Sequence, residues 1–161
     1  MTTAPSRTDE AAFGIVYGSI SVLAVLVLVH PPIEDPARQA LILFGSVLAM
    51  ALAKAYAELC QRMVQSGEKA RWADIKAVWS HSQTVLLAAN GPTLAFLLAA
   101  AGLYDPDLAL PIAQILAIGL LAGFGARIGW RIGKSRLSSA VGAGITGGLG
   151  LALSLLKALA H

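Results

Sequence analysis

Polar and apolar positions along this chain fall into long blocks, with no fine alternation. Five apolar blocks, residues 12–29, 40–60, 85–103, 108–128 and 137–156, are separated by short stretches that hold most of the charge. A helix needs about 20 apolar residues, at about 1.5 Å each, to cross a hydrocarbon core about 30 Å thick. Each block meets or approaches that length. None shows the period of two that marks a barrel strand, and in lipid a helix satisfies its backbone hydrogen bonds within itself. The pattern predicts an all-α fold: a polytopic transmembrane helix bundle of five membrane-spanning helices, one integral membrane domain over residues 1–161.

The connections differ in kind. "HPPIEDP" and "YDPD" are short, proline-bearing and acidic, as expected of turns between antiparallel neighbours. Residues 62–82 form a longer connection in which Trp72, Ile75 and Trp79 recur at helical spacing among Lys69, Asp74 and Lys76. This predicts a short cytoplasmic amphipathic helix between spans two and three, continuing a span or lying against the interface where tryptophan is enriched. Interfacial anchoring is the ordinary use of such residues, and an aromatic pair that binds a ligand is the alternative.

Composition changes the solvent. Hydrophobic residues make up 57% of the chain, charged residues 13%, and mean hydropathy is +0.70. A water-soluble domain carries about a quarter charged residues, so too few remain here to cover a water-facing surface. The net charge of +3 does not call for nucleic acid, because the bases concentrate in particular loops. Arg62, Lys69, Arg71 and Lys76 lie between spans two and three, and Arg127, Arg131, Lys134 and Arg136 between four and five. The opposite loops hold Arg38 alone; Arg7 precedes span one and Lys157 ends span five. The positive-inside rule then places the N-terminus in the cytoplasm and the C-terminus across the plasma (inner) membrane, with the lipid bilayer as the principal partner. Residues 1–13 lack a basic n-region, and the first apolar block runs into His30, Pro31 and Pro32 with no small-residue cleavage site, so it reads as a retained helix. Cys60 is the single cysteine, which excludes an internal disulfide and multi-cysteine metal sites. His30, His81 and His161 are dispersed at span ends and loops and make no common site.

Glycine follows helical spacing: Gly14 and Gly18, Gly119 and Gly123, then Gly125, Gly129 and Gly133, and Gly144 with Gly148. Small residues four apart let helix backbones approach, within one chain or between two copies. "GAGITG", residues 142–147, matches G-x-G-x-x-G, yet it lies inside a span and not after a strand. "GWRIGKS", residues 129–135, falls one residue short of a phosphate-binding loop and also lacks the strand. Neither motif is a nucleotide site, and no cofactor is implied.

Candidate chemistry sits where polarity enters the spans. Lys54, Glu58 and Arg62 are successive turns of one helix face. A lysine at the bilayer centre costs roughly 3 kcal/mol. Lys54 lies toward the inner end of its span, where its stem reaches toward the headgroups while Glu58 pairs with Lys54 or, in the better order, with Arg62. A cytoplasmic ion-pair ladder and the polar mouth of a transport path are both consistent with that placement. In span three, Asn90, Gly91 and Pro92 imply a kinked, locally polar helix, read as structural or as ion-coordinating. Gln114 and Tyr17 are comparable single polar groups.

Residues 14–25, "GIVYGSISVLAV", resemble the first-helix motif of the vacuolar iron transporter family, approximately G-x-x-D-G-x-x-S-V-x-A, at Gly14, Gly18, Ser21, Val22 and Ala24. Residues 49–61, "AMALAKAYAELCQ", are similar to that family's second-helix run S-M-A-x-G-E-Y with a distal Gln, at Met50, Ala51 and Gln61. The five-span layout and the basic connection before the last span look alike as well. The resemblance implies the five-helix fold and a homodimer. It departs at the family's metal-handling acids: the first-span Asp position is Tyr17 and the second-span Glu position is Lys54, and the inner segment lacks the acidic metal-collecting cluster. An ammonium repels divalent metal, so no metal site is expected.

These residues leave two functional readings. One is a small transporter or channel that moves an ion or solute along Tyr17, Met50, Lys54, Glu58 and Asn90. The other is an accessory or scaffold subunit whose glycine faces bind a membrane-protein partner. An enzyme is not expected, since no nucleophile and base stand at suitable spacing. The orientation is open to direct test. On a Cys60→Ser background, cysteines placed at Ser66 and at Ala158 should react with impermeant thiol reagents from opposite faces of the membrane; labelling of both from one face overturns the five-span topology.

Overall fold

The computed structural model describes residues 7–159 other than 68, 70 and 134, and within the helices leaves out the side chains of residues 7–13, 81, 132, 149, 151 and 153–159. Lys134 and His161, and the side chains of Arg7, His81 and Lys157, all used in the sequence reading, lie outside the described residues.

Five helices follow in chain order: α1 Arg7–Val27, α2 Pro36–Ser66, α3 Trp72–Ala100, α4 Pro106–Gly133 and α5 Arg136–Leu159. Among the described residues there is no strand. Of the two placements expected for the helix in 62–82, the structure has the one that continues a span, and among the described residues no separate short helix stands there. Residues 62–66 continue α2, the chain turns over 67–71, and Trp72, Ile75 and Trp79 belong to the first turns of α3. The physical reason is that Gly67 is the one helix breaker there. It caps α2 in the left-handed region (φ 68°) with its N–H donating to the Met63 carbonyl at 3.0 Å. From Trp72 on, no glycine or proline interrupts the chain before Gly91.

The two opposite turns are built alike. Asp35 precedes Pro36 and accepts the Arg38 N–H at 2.9 Å; Asp105 precedes Pro106 and accepts the Asp107 N–H at 2.9 Å. Proline at the first helical position loses no bond, since its N–H would have been unsatisfied there anyway. Between them α3 ends in a Schellman turn: Gly102 (φ 78°) donates to Ala99 O at 2.9 Å and Leu103 to Leu98 O at 3.1 Å. A long-range bond joins the two turns, from the Ile33 N–H to Asp107 Oδ1 at 2.8 Å. Pro92 and Pro111 lie inside α3 and α4 without ending them.

α1 occupies the middle of the bundle, set against α3 and α4, with α2 packed outside α3 and α5 outside α4. Its Val22, Leu23 and Leu26 meet Leu43 and Val47 of α2, Val85 and Phe96 of α3, and Ala113, Ala117 and Leu121 of α4 in one buried cluster. Outside that cluster the chain stays apolar. Leu41, Leu52, Leu87, Leu94, Ile115 and Ile145 are all about half exposed or more. Three helices are long and apolar enough to cross a membrane by length and composition: Pro36–Ser66, Trp72–Ala100 and Pro106–Arg131, with mean hydropathy 1.8, 1.4 and 2.0. Only 22%, 39% and 33% of their most apolar windows is buried within the bundle. Helices that are apolar all round and still mostly uncovered need an apolar solvent. The apolar part of α1, Gly14–Val27, is shorter.

Glycines divide by environment. A Cβ at Gly18 would stand 2.5 Å from the Val85 carbonyl oxygen and 2.9 Å from Ala88 Cβ, so α1 and α3 touch backbone to backbone. Gly125, Gly129 and Gly142 do the same between α4 and α5, where Ser139 Oγ also donates to Ala126 O at 3.0 Å. Gly119, Gly123, Gly144 and Gly148 meet nothing within 4 Å among the described residues. Substitution separates the two groups. Gly18→Ala forces the helices apart and should lower stability by about 1–3 kcal/mol, while Gly45→Ala, with nothing within 4 Å, should be neutral or slightly stabilising. Thermal unfolding in mild detergent measures both; equal effects would show that α1 and α3 are not in close contact.

Candidate functional site

Lys54 leaves α2 in its fifth or sixth turn and Tyr17 leaves α1, and the structure brings the two together. Lys54 Nζ lies 5.6 Å from the centroid of the Tyr17 ring, on its face. Tyr17 is 37% exposed and Lys54 half-buried, so the contact opens to the side of the bundle. Local geometry orients α1 here: Ser21 Oγ donates to the Tyr17 carbonyl at 2.9 Å, one turn back along the helix. A cation over an aromatic face is attracted by the ring quadrupole by about 0.5–1 kcal/mol when exposed and 2 or more when desolvated.

Glu58 takes the better-ordered of its two expected partners. Arg62 donates from Nη2 to Glu58 Oε1 at 2.7 Å, with the side chains 38% and 27% exposed. Met50, one turn before Lys54, packs against the central apolar cluster. Asn90 lies elsewhere. It is exposed on α3 and lines a groove of about 620 Å³ with Ala37, Phe44, Thr93, Leu94 and Leu97. The Thr93 hydroxyl beside it is buried without a hydrogen-bond partner, as is that of Ser19 on α1. The candidate residues thus divide into a Tyr17–Lys54 contact, a Glu58–Arg62 pair one turn further along α2, a core methionine and a separate polar spot at Asn90.

Depth orders the first two. α2 has 31 residues and so is about 46 Å long, well beyond the hydrocarbon thickness of about 30 Å. Centred on its apolar run at 40–60, Lys54 falls about 6 Å from the middle, Glu58 about 12 Å, and Arg62 at the headgroup boundary. The Glu58–Arg62 pair is therefore a boundary interaction, and the lysine over the tyrosine ring is the deeper charge. Beyond the boundary, Leu59, Arg62, Met63, Lys69, Arg71 and Asp74 surround a cleft of about 530 Å³ between the end of α2 and the start of α3. Asp74 there accepts the Arg71 N–H at 3.0 Å.

Among the described residues no three His, Cys, Asp or Glu side chains gather as a metal site. No family model, curated protein or solved structure matches the chain.

The sequence pointed to Lys54 and to Tyr17 separately, the second as a lone polar group in its span and again through the resemblance. Their contact was unreadable because nothing in spacing tells which face of α1 meets α2. The contact itself can be weighed by a double-mutant cycle of Tyr17→Leu and Lys54→Met in thermal unfolding. A coupling of about 0.5–2 kcal/mol is expected, and strictly additive effects would dissolve the pair.

Proposed function

We propose that this chain is a five-span protein of the plasma (inner) membrane, N-terminus inside and C-terminus outside, that moves a small ion or solute past the α1–α2 crevice. One observation supports the reading most: a lysine held over an aromatic ring about 6 Å from the centre of an otherwise apolar helix length. Ionisable groups at such depth are expensive and mark solute paths more often than they serve packing. A fixed positive charge favours an anion, or a proton exchanged at the amine. The iron transporter resemblance supports the fold of this proposal and not the cargo, since Tyr17 and Lys54 stand where that family has acids. Tyr17 opens toward the outside of a single copy, which suits a path completed by a second copy. The open α5 face at Gly144 and Gly148, flanked by the exposed Val141 and Ile145, is the surface that suits a homodimer.

The same α5 face favours the second reading, an accessory subunit that receives another protein's helix. Flux separates the two. Proteoliposomes holding the purified protein should pass chloride or protons faster than empty vesicles. Lys54→Met should cut that flux about tenfold or more, the effect of losing about 1.4 kcal/mol at a site charge, while Lys54→Arg retains part of it. Flux indifferent to Lys54→Met overturns the path, and absence of flux with a co-purifying membrane protein supports the accessory role.

A further inference from the structure

The lipid-facing side of α4 carries a feature that the path does not use. Ile115, Gly119, Gly123, Arg127 and Arg131 recur every four residues and form one row along the helix. Among the described residues nothing lies within 4 Å of a Cβ built on Gly119 or Gly123, so the row is a bare trough flanked by Leu116, Leu120 and Phe124. The trough holds about 560 Å³ and runs to Arg127. From Ile115 to Arg127 it is about 18 Å long, close to the span of one membrane leaflet.

Its two ends differ in charge. The Ile115 end is wholly apolar. At the other end stand Arg127, Arg131 and Arg136, all exposed, with the half-exposed Trp130 between them. Taking the apolar run of α4 as centred near Ile118, Arg127 falls about 13 Å from mid-membrane and Arg131 about 6 Å beyond it, at headgroup level. Trp130 sits where tryptophan prefers to lie, at the membrane–water boundary.

We propose that the Gly119–Gly123 trough binds one acyl chain of an anionic phospholipid, whose phosphate is held by Arg127 and Arg131. Charge complementarity chooses the occupant. A second copy of this chain would bring its own arginine cluster against this one if the two troughs met about a twofold axis, and like charges at that spacing repel. A phospholipid supplies a hydrocarbon tail for the apolar length and a negative group for the basic end. The glycines make room for the tail, and arginine suits the phosphate because its planar fork donates two bonds at once. This inference rests on the membrane placement of α4 and not on solute passing Lys54.

Native mass spectrometry of the full chain, with dioleoyl phosphatidylglycerol and dioleoyl phosphatidylcholine offered separately, tests it. The wild type should retain phosphatidylglycerol with a clear preference, each arginine contributing about fivefold. Arg127→Gln with Arg131→Gln should erase the preference while leaving neutral-lipid retention unchanged. Gly123→Leu, which has open space to enter, should displace both lipids without lowering helicity. Free glycerol phosphate, the headgroup fragment without its tail, should not compete at equal concentration. Equal retention of the two lipids by the wild type overturns the proposal, as does full competition by glycerol phosphate. So does a Gly123→Leu protein that keeps its lipid but loses a dimer. A failure of the membrane reading itself would show differently, as release of the chain from membranes by alkaline carbonate.

Discussion

Lipid outside and lipid-like side chains inside leave no hydrophobic gradient to press these helices together. What remains is dispersion at short range and the few hydrogen bonds that cross between elements. Both require close approach, and close approach requires positions with no side chain. That is why the α1–α3 contact runs through Gly18 and the α4–α5 contact through Gly125, Gly129 and Gly142. The middle helix depends on it: α1 buries Ser19, Val22, Leu23 and Leu26 only because Gly18 lets it sink between its neighbours.

The ends of the bundle are set by different chemistry. One end carries Glu34, Asp35, Asp105 and Asp107, where two Asp-Pro helix starts and the Ile33–Asp107 bond fix the turns. The other gathers Arg62, Lys69, Arg71, Lys76, Arg127, Arg131 and Arg136. Helix direction makes this segregation: α2 and α4 end where α3 and α5 begin, so loops far apart in sequence share one side. A charge asymmetry of this kind orients a chain during insertion, and afterwards it leaves a basic surface facing anionic headgroups.

Much of the helical layout was legible in block pattern alone, because apolar length and proline-acid turns are properties of contiguous residues. The 62–82 segment was legible as helical but not as part of α3, for an equally local reason. Its amphipathic spacing is real, but periodicity cannot say whether a short helix joins the next one when no breaker stands between Trp72 and Asn90. Glycine roles were legible only in part. Spacing of four identifies a candidate contact face, yet Gly119 and Gly123 have it and face open space, while Gly142 and Gly150 touch neighbours without it. Which face of a helix meets another helix is a long-range fact. For the same reason Asn90 and Lys54, grouped by polarity, proved to lie on different surfaces.

Glycine exposure and charge together explain how one helix can serve two surroundings. On α4 the inner face, at Gly125 and Gly129, is filled by α5, and the outer face, at Gly119 and Gly123, is filled by nothing among the described residues. An empty trough beside hydrocarbon does not stay empty, since unfilled space forfeits the dispersion that holds the rest together. Whatever enters must be slender over the glycines and negative near Arg127. Two independent constraints, one of width and one of sign, converge on the same row of residues, and a hydrocarbon tail with a phosphate satisfies both at once.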